Sequence, residues 1–166
     1  MPRLRLVAPA AVAAAVLVIV LASSGSAQQP GERTLTFTER DTAGTFKLID
    51  IRPKNRRGTR NPRLSIGDSF AFRGPLFDAA NQSRVGEIGG TCTFLKSGTF
   101  ETATSHCIAS MRLADGSIAF QGFVRFGSRT TTIAVVGGTG AYEGARGSLR
   151  STEGRRTSTD VVHLLP

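Results

Sequence analysis

The chain has 166 residues, and its 21 Lys and Arg outnumber its 12 Asp and Glu, which gives a formal net charge of +9. Such a balance can indicate an anionic partner. However, the basic residues are spread along the chain, which has no Trp and only a single Tyr to stack on bases. We therefore expect a soluble basic surface and no nucleic-acid partner. His106 and His163 lie far apart in no zinc-ligand spacing, so we expect no metal and no cofactor.

The N-terminus has the pattern of a secretory signal peptide over residues 1–27. Arg3 and Arg5 precede an apolar stretch, and small residues lead to Ala27, the expected cleavage site. An uncleaved membrane anchor is the alternative, which the short apolar stretch disfavours. We expect a secreted, extracellular protein that meets the membrane only through this segment, with one mature domain over residues 28–166.

The mature chain has the pattern of β-strands throughout. Apolar and polar residues alternate around Phe37, Phe46, Phe70 and Phe120, and this period of two is typical of half-buried strands. Turn signals separate the runs, of which Asp115-Gly116 is the best hairpin turn. About eight short strands predict an all-β sandwich or barrel. The ten Phe residues can fill its interior or line an apolar cavity.

The clearest predicted loop is basic and spans residues 52–63. It carries six basic residues and no acid, and it includes Pro53 and Pro62. A run of this kind is usually a solvated surface segment. An anionic polymer or lipid head group as its partner is the less favoured interpretation.

Three glycines near the C-terminal third, Gly137, Gly138 and Gly140, follow a β-branched run. A dinucleotide-binding fingerprint would require another glycine where Glu143 stands. We therefore interpret these residues as structural glycines at a strand corner, where backbone turns tightly or approaches other backbone closely.

Three blocks, in order, resemble the allene oxide cyclase and dirigent β-barrel family. They are Thr38–Asp41, the segment from Ile66 to Cys92, and the segment from Gly116 to Gly140, followed by Ala145-Arg146-Gly147, which dirigent proteins share. The chain is most similar to the allene oxide cyclase side, as a bacterial-type secreted member. The resemblance implies an eight-stranded antiparallel β-barrel with an apolar pocket, often assembled as a trimer.

The resemblance also implies pocket positions, which it places at Thr36, Thr38, Phe72, Gly74 and Val124. The cyclases are thought to use a first-strand Glu and a nearby Asn, and the matching positions here hold Thr36 and Thr38. A pocket Asn becomes Gly74 and a Tyr becomes Val124. Because Thr supplies no carboxylate, we expect no useful cyclisation of fatty-acid allene oxides.

Two acids remain as catalytic candidates, Glu39 and Asp41. A slip in this placement would bring Glu39 into the pocket instead. A dirigent-like function needs pocket aspartates, and the sequence alone does not show which of Asp41, Asp50, Asp68 and Asp78 face inward. Inward acids would favour an enzyme, whereas an apolar pocket without acids would favour ligand binding alone.

The two cysteines, Cys92 and Cys107, have competing interpretations. In an exported chain, a single pair at this spacing predicts a disulfide, which the chain-entropy model values at about 3 kcal/mol. The resemblance instead makes Cys92 a pocket residue with a free thiol. We favour the disulfide because a bonded sulfur cannot also be a thiol.

The leading functional hypothesis is an exported barrel that binds a small apolar ligand, lipid-derived or phenolic, without catalysis. The first alternative is a cyclase, isomerase or dirigent-like protein that orients a reactive intermediate. The second is a filled, structural barrel that acts through its surface.

Overall fold

The structure is a computed structural model that describes residues 31–40, 45–51 and 63–166. The predicted signal segment, Asp41 and residues 52–62 of the basic loop lie outside the described residues. None of the described residues belongs to a helix that could cross a membrane.

The described residues form nine β-strands. In chain order these are β1 (Arg33–Arg40), β2 (Thr45–Ile49), β3 (Ser69–Asp78), β4 (Arg84–Lys96), β5 (Thr104–Leu113), β6 (Gly116–Val124), β7 (Thr130–Gly140), β8 (Gly147–Glu153) and β9 (Thr157–Leu164).

Eight of these strands close into an antiparallel barrel. Consecutive strands from β3 to β9 are hydrogen-bonded neighbours, and β1 pairs with both β9 and β3, which joins the two edges. The remaining strand, β2, pairs with the first half of β3, on the edge whose second half pairs with β1. Closure of the barrel pairs the backbone N–H and C=O groups that the edge strands of an open sheet would leave without hydrogen bonds. The prediction of an all-β, eight-stranded antiparallel barrel is therefore confirmed.

One end of the barrel is filled with apolar side chains. Alternate residues of each strand point inward, and at this end they form a single cluster: Phe37, Leu76, Ile88, Met111, Ile118, Phe120, Val135, Tyr142, Leu149, Val162 and Leu164. Tyr142, from the loop between β7 and β8, donates its hydroxyl to Asp115 at 3.3 Å. Burial and the nearby Asp115 carboxylate raise the pKa of Tyr142, so the phenol keeps this proton.

The glycine cluster at the end of β7 meets two different needs. Gly140 has a φ of +62°, a conformation that side chains with a Cβ rarely adopt. A Cβ on Gly138 would collide with the carbonyl oxygens of Tyr142 and Ser117. Gly137 differs, because it has open space around it and no positive φ. The structural interpretation therefore fits Gly138 and Gly140, but nothing in the structure requires glycine at position 137.

Candidate functional site

The opposite end of the barrel is hollow. A cavity of about 540 Å³ opens where β1 and β8 end and where β3 and β9 begin. Its volume lies within the range of about 300–1,000 Å³ that is typical of small-molecule sites. The same barrel is thus filled at one end and open at the other.

Aromatic side chains form one wall of the cavity, which we call the aromatic wall: Phe46, Phe70, Phe100 and Phe126. The Phe100 and Phe126 rings stack with their centroids 4.5 Å apart. Phe70 lies 4.9 Å from Phe46 and 5.1 Å from Phe126, ring centre to ring centre. Such pairs stabilise each other beyond their buried area, so the wall is a connected apolar surface.

Polar and acidic side chains from β1, β8 and β9 also line the cavity, namely Glu39, Ser151, Glu153 and Asp160. Together with the buried Ser158 of β9, they form what we call the acidic wall. The strand register arranges them in two rows. Ser158 stands directly opposite Glu39 on one side and Glu153 on the other. The Ser158 hydroxyl donates to the Glu39 carboxylate at 3.3 Å. In the next row inward, Asp160 stands opposite Ser151.

Asp160 is the most deeply buried acid of this wall. It lines the cavity with only 2% of its surface exposed, and its Oδ2 atom has no hydrogen-bond partner. Burial raises the pKa of Asp160 to about 6; a hydrogen bond from Ser151 opposes this rise, and the charge of Glu153 adds to it. A carboxyl group with this pKa can both accept and return a proton near neutral pH.

The two arginines that line the cavity have their guanidinium groups engaged on the outside of the barrel. Arg40 lies 3.7 Å over the Phe77 ring and donates to Asn81. Arg73 is paired with Glu87, and this hydrogen bond is the main cause of the lowered pKa of Glu87. Neither guanidinium forms an ion pair with Asp160.

Cys92 and Cys107 form a disulfide in the cavity wall. The two residues stand directly opposite each other on β4 and β5, where Cβ atoms lie close enough to bridge. The predicted disulfide is thus present, and the interpretation of Cys92 as a free pocket thiol is wrong for this structure. Cys92 does line the cavity, but with a bonded sulfur.

Among the pocket positions expected from the sequence, Phe72, Gly74 and Val124 line the cavity. Whether they contact a ligand stays a prediction. Thr36 and Thr38 do not line it, because they lie on the opposite face of β1 from Phe37.

Glu39 shares its face of β1 with the buried Phe37 and does line the cavity. The pocket placement of Thr36 and Thr38 is therefore corrected in favour of Glu39. The main argument against allene oxide chemistry was that β1 carries no inward carboxylate. Glu39 removes that argument, because its carboxylate is on the inward face of β1.

Sequence reasoning missed Asp160 and Glu153. For Asp160, the sequence of β9 held the necessary information. Val162 and Leu164 lie two and four residues after Asp160, so the three side chains point to the same face of the strand, and the two apolar residues identify that face as the inward one. The register of β8 against β9 then places Glu153 on the same side. Asp50, Asp68 and Asp78 are also among the described residues, but none of them lines the cavity.

Asp68 accepts the backbone N–H groups of Ile51 and Ser65, each at 2.8 Å. Asp78 accepts those of Gln82 and Ser83, and these hydrogen bonds lower its pKa. Asp50 lies just beyond β2 and does not line the cavity. These carboxylates are therefore not pocket groups. Among the described residues, no cluster of His, Cys, Asp and Glu has a metal-binding arrangement.

Together these features define a closed antiparallel β-barrel with a cavity that opens at one end. Residues 42–163 match the family model described as the allene oxide cyclase barrel like domain. The chain therefore belongs to this family, as the sequence resemblance predicts.

Solved structures with the same fold include a pyocyanin demethylase, at 23% identity and a TM-score of 0.63 over 80% of this chain and 99% of that one. A pterocarpan synthase dirigent protein matches at 20% identity and a TM-score of 0.63, over 83% of this chain and 97% of its own. A nonspecific heme-binding cyclase that catalyses a [4 + 2] cycloaddition matches at 15% identity and a TM-score of 0.58, over 83% of this chain and 68% of its own. A search of curated proteins found no match.

Proposed function

We propose that this protein binds a small apolar molecule in the open end of its barrel and orients it against Asp160, as a cyclase, isomerase or dirigent-like protein does. The single observation that carries the proposal is the deeply buried Asp160 side chain, which lines the cavity with one oxygen unpartnered. A filled structural barrel would have neither the cavity nor a reason to bury this carboxylate.

The aromatic wall accounts for binding in this proposal. An apolar or conjugated ligand would displace water from Phe70, Phe100 and Phe126, and each Å² of apolar surface buried contributes about 25 cal/mol. Flat ligands gain further from stacking on the rings. The wall therefore holds the ligand without selecting a reaction.

The acidic wall accounts for chemistry. A pKa of about 6 lets the Asp160 carboxylate take a proton from carbon or oxygen of a bound molecule and later return it. Ser151 faces it from β8 and can orient the carboxyl group. These inward acids favour the catalytic or orienting alternative over passive binding. The structural relatives named as a dirigent protein and a cyclase are consistent with that choice.

Export and assembly also remain proposals. The signal pattern of residues 1–27 supports secretion, and the disulfide suits an oxidising destination. A homotrimer is expected from the family resemblance.

Native mass spectrometry of the protein purified from its host tests binding and subunit count together. We expect a bound small molecule that is lost in the cavity-blocking variant Val124→Trp. Phe123→Trp is the matched control, because Phe123 is the neighbouring residue on the outer face of β6 and is 66% exposed. Equal occupancy in both variants would place the ligand elsewhere.

The captured molecule then tests the chemistry. Incubation in D₂O with the wild-type protein should introduce deuterium or produce a rearranged product, and Asp160→Asn should slow this by about 10²-fold or more. If the molecule binds in the cavity but both proteins leave it unchanged, the barrel is a binding protein only.

A further inference from the structure

The outer surface of the barrel carries a second, smaller hollow over β3, β4 and β5. Its volume is about 300 Å³, and its lining includes Arg73, Glu87, Gly89, Ser110 and Arg112. In the strand register, Gly89 of β4 stands directly opposite Arg73 on one side and Ser110 on the other. Because Gly89 has no side chain, space remains between these two neighbours.

Three arginines converge on Glu87 beside this hollow. Arg73 donates to Oε2 of Glu87 from Nε, at 3.2 Å, and also from Nη2. Arg112 donates to Oε1, and Nη2 of Arg84 lies 3.6 Å from Oε2. The hydrogen bond from Arg73 and the charges of the three arginines outweigh desolvation and lower the pKa of Glu87. The carboxylate therefore stays ionised at neutral pH and holds the guanidinium groups in place.

Fold stability does not account for three arginines on one carboxylate. The side chains of Arg73, Arg84 and Arg112 are 65%, 61% and 71% exposed, and ion pairs as exposed as these contribute little to stability. A guanidinium has five N–H donors. Within the described part of the chain, the contacts with Glu87 and with the Gly86 carbonyl use only some of them. Arg73 and Arg112 therefore keep donors for a ligand.

We propose that this outer hollow binds a phosphate monoester through the guanidinium groups of Arg73 and Arg112. The phosphate lies over Gly89, where the missing side chain leaves room, and the Ser110 hydroxyl supplies a further donor. Glu87 acts as a positioning residue, because both of its oxygens are already occupied by arginines. The site lies on the outside of the barrel and goes beyond the proposed function, since it does not depend on what the interior cavity holds.

The chemistry of the donors favours a phosphate monoester over a carboxylate. The planar guanidinium of arginine fits the oxygens of both groups. However, a phosphate monoester carries close to two negative charges and three strong acceptor oxygens. It can therefore accept from Arg73, Arg112 and Ser110 at once, whereas a carboxylate has two oxygens and one charge. The same phosphate group occurs on small soluble molecules and on the lipid phosphatidic acid, so the experiment distinguishes these sources.

Titration of the ¹⁵N-labelled protein with glycerol phosphate at low salt tests the inference. We expect saturable shifts of the amide signals of Gly89 and Ser110, with a dissociation constant of about 1 mM or lower. Arg73→Gln with Arg112→Gln should raise that constant by about 10-fold or more, because both charged donors are lost. Glycerol phosphate that shifts neither amide signal would overturn the inference.

Arg155→Gln with Arg156→Gln is the matched control. It removes the same two charges from the exposed turn between β8 and β9, and β8 lies four strands from β4 in either direction around the ring. The dissociation constant should change by less than about 2-fold, since charges this distant are largely screened. An equal loss in the two double variants would mean that the basic protein attracts phosphate without a defined site.

Arg73→Lys with Arg112→Lys separates geometry from charge. Both positive charges remain, but lysine lacks the planar arrangement of donors, so we expect binding to be about 5-fold or more weaker than in the wild type. Wild-type affinity in this variant would contradict the proposed guanidinium contacts.

Sedimentation with phosphatidylcholine vesicles, with and without phosphatidic acid, then identifies the source of the phosphate. Binding that requires phosphatidic acid and is lost in Arg73→Gln with Arg112→Gln assigns the lipid head group to this site. If glycerol phosphate binds but the vesicles do not, or if they bind both proteins equally, the site takes a soluble phosphate. The cavity-blocking variant Val124→Trp should bind glycerol phosphate like the wild type, so a failure of the proposed function would leave this result unchanged.

Discussion

The two walls of the cavity make opposite contributions to the stability of the fold. The aromatic wall continues the hydrophobic core towards the open end: Phe70 and Phe94 are buried there in one cluster with the disulfide. The acidic wall places Asp160 at 2% exposure with an unpartnered oxygen. Burial of apolar rings favours folding, whereas burial of an unmatched carboxylate opposes it.

The largest expected effect comes from the aromatic wall. Phe70→Ala removes a ring that is 3% exposed and contacts Phe46, Phe72, Phe94, Phe100 and Phe126. We expect a loss of about 3–5 kcal/mol in the free energy of unfolding, measured by urea denaturation. Phe123→Ala, on the exposed outer face, should change it by about 0.5 kcal/mol or less. Similar losses in the two variants would mean that the aromatic wall is not part of the core.

The disulfide behind this wall is the next largest contribution. The doubly substituted variant Cys92→Ala with Cys107→Ala should lose about 3 kcal/mol of stability, because the unfolded chain regains the freedom of a closed loop. Thiol labelling of the unreduced, unfolded wild-type protein should find no reactive thiol. Two labelled thiols would show that the bond is absent from the purified protein.

In the acidic wall, removal of the buried charge should increase the free energy of unfolding instead of lowering it. The pKa of Asp160 is raised to about 6 in the folded state, against an ordinary value of 3.8. The native state therefore binds more protons between these values, and this group's contribution to stability falls as the pH rises through about 6. Asp160→Asn removes that loss, so the variant should be more stable than the wild type at pH 8 by up to about 3 kcal/mol.

The pH dependence of this stability difference distinguishes an effect of the Asp160 charge from an effect of side-chain packing. The advantage of Asp160→Asn should shrink as the pH falls and disappear near pH 4, where both proteins are uncharged at this site. Chemical denaturation at both pH values measures it. A wild-type protein that is more stable than the variant at pH 8 would mean that Asp160 has a favourable partner in solution, and the two walls would no longer differ in sign.

The smallest expected effect concerns allene oxide. Glu39 occupies the inward position on β1, but the position matched to the cyclase Tyr holds Val124, which lines the cavity. We expect freshly generated fatty-acid allene oxide to give racemic cyclopentenone, as it does without a catalyst. An enantiomeric excess that disappears in Glu39→Ala would instead make the acidic wall a cyclase site with Glu39 as its carboxylate.

The sequence alone determined the architecture. Period-two alternation, turn signals such as Asp115-Gly116 and the ordered family blocks were enough to predict an antiparallel barrel, because strand periodicity and turn chemistry are local properties of the chain. The cysteine pair was likewise readable, since one pair at this spacing has few alternatives. The pocket positions Phe72, Gly74 and Val124 also fall on the cavity wall.

Only the tertiary structure decided which end is hollow and brought the acids of β1, β8 and β9 together there. Whether Thr38 or Glu39 turns inward depends on one residue of strand parity, and a slip of one residue exchanges the two faces. Ser158 stands between Glu39 and Glu153 because β1 closes the barrel against β9, which also pairs with β8. That pairing joins the first and last strands, far apart in the chain, so no local pattern in the sequence records it.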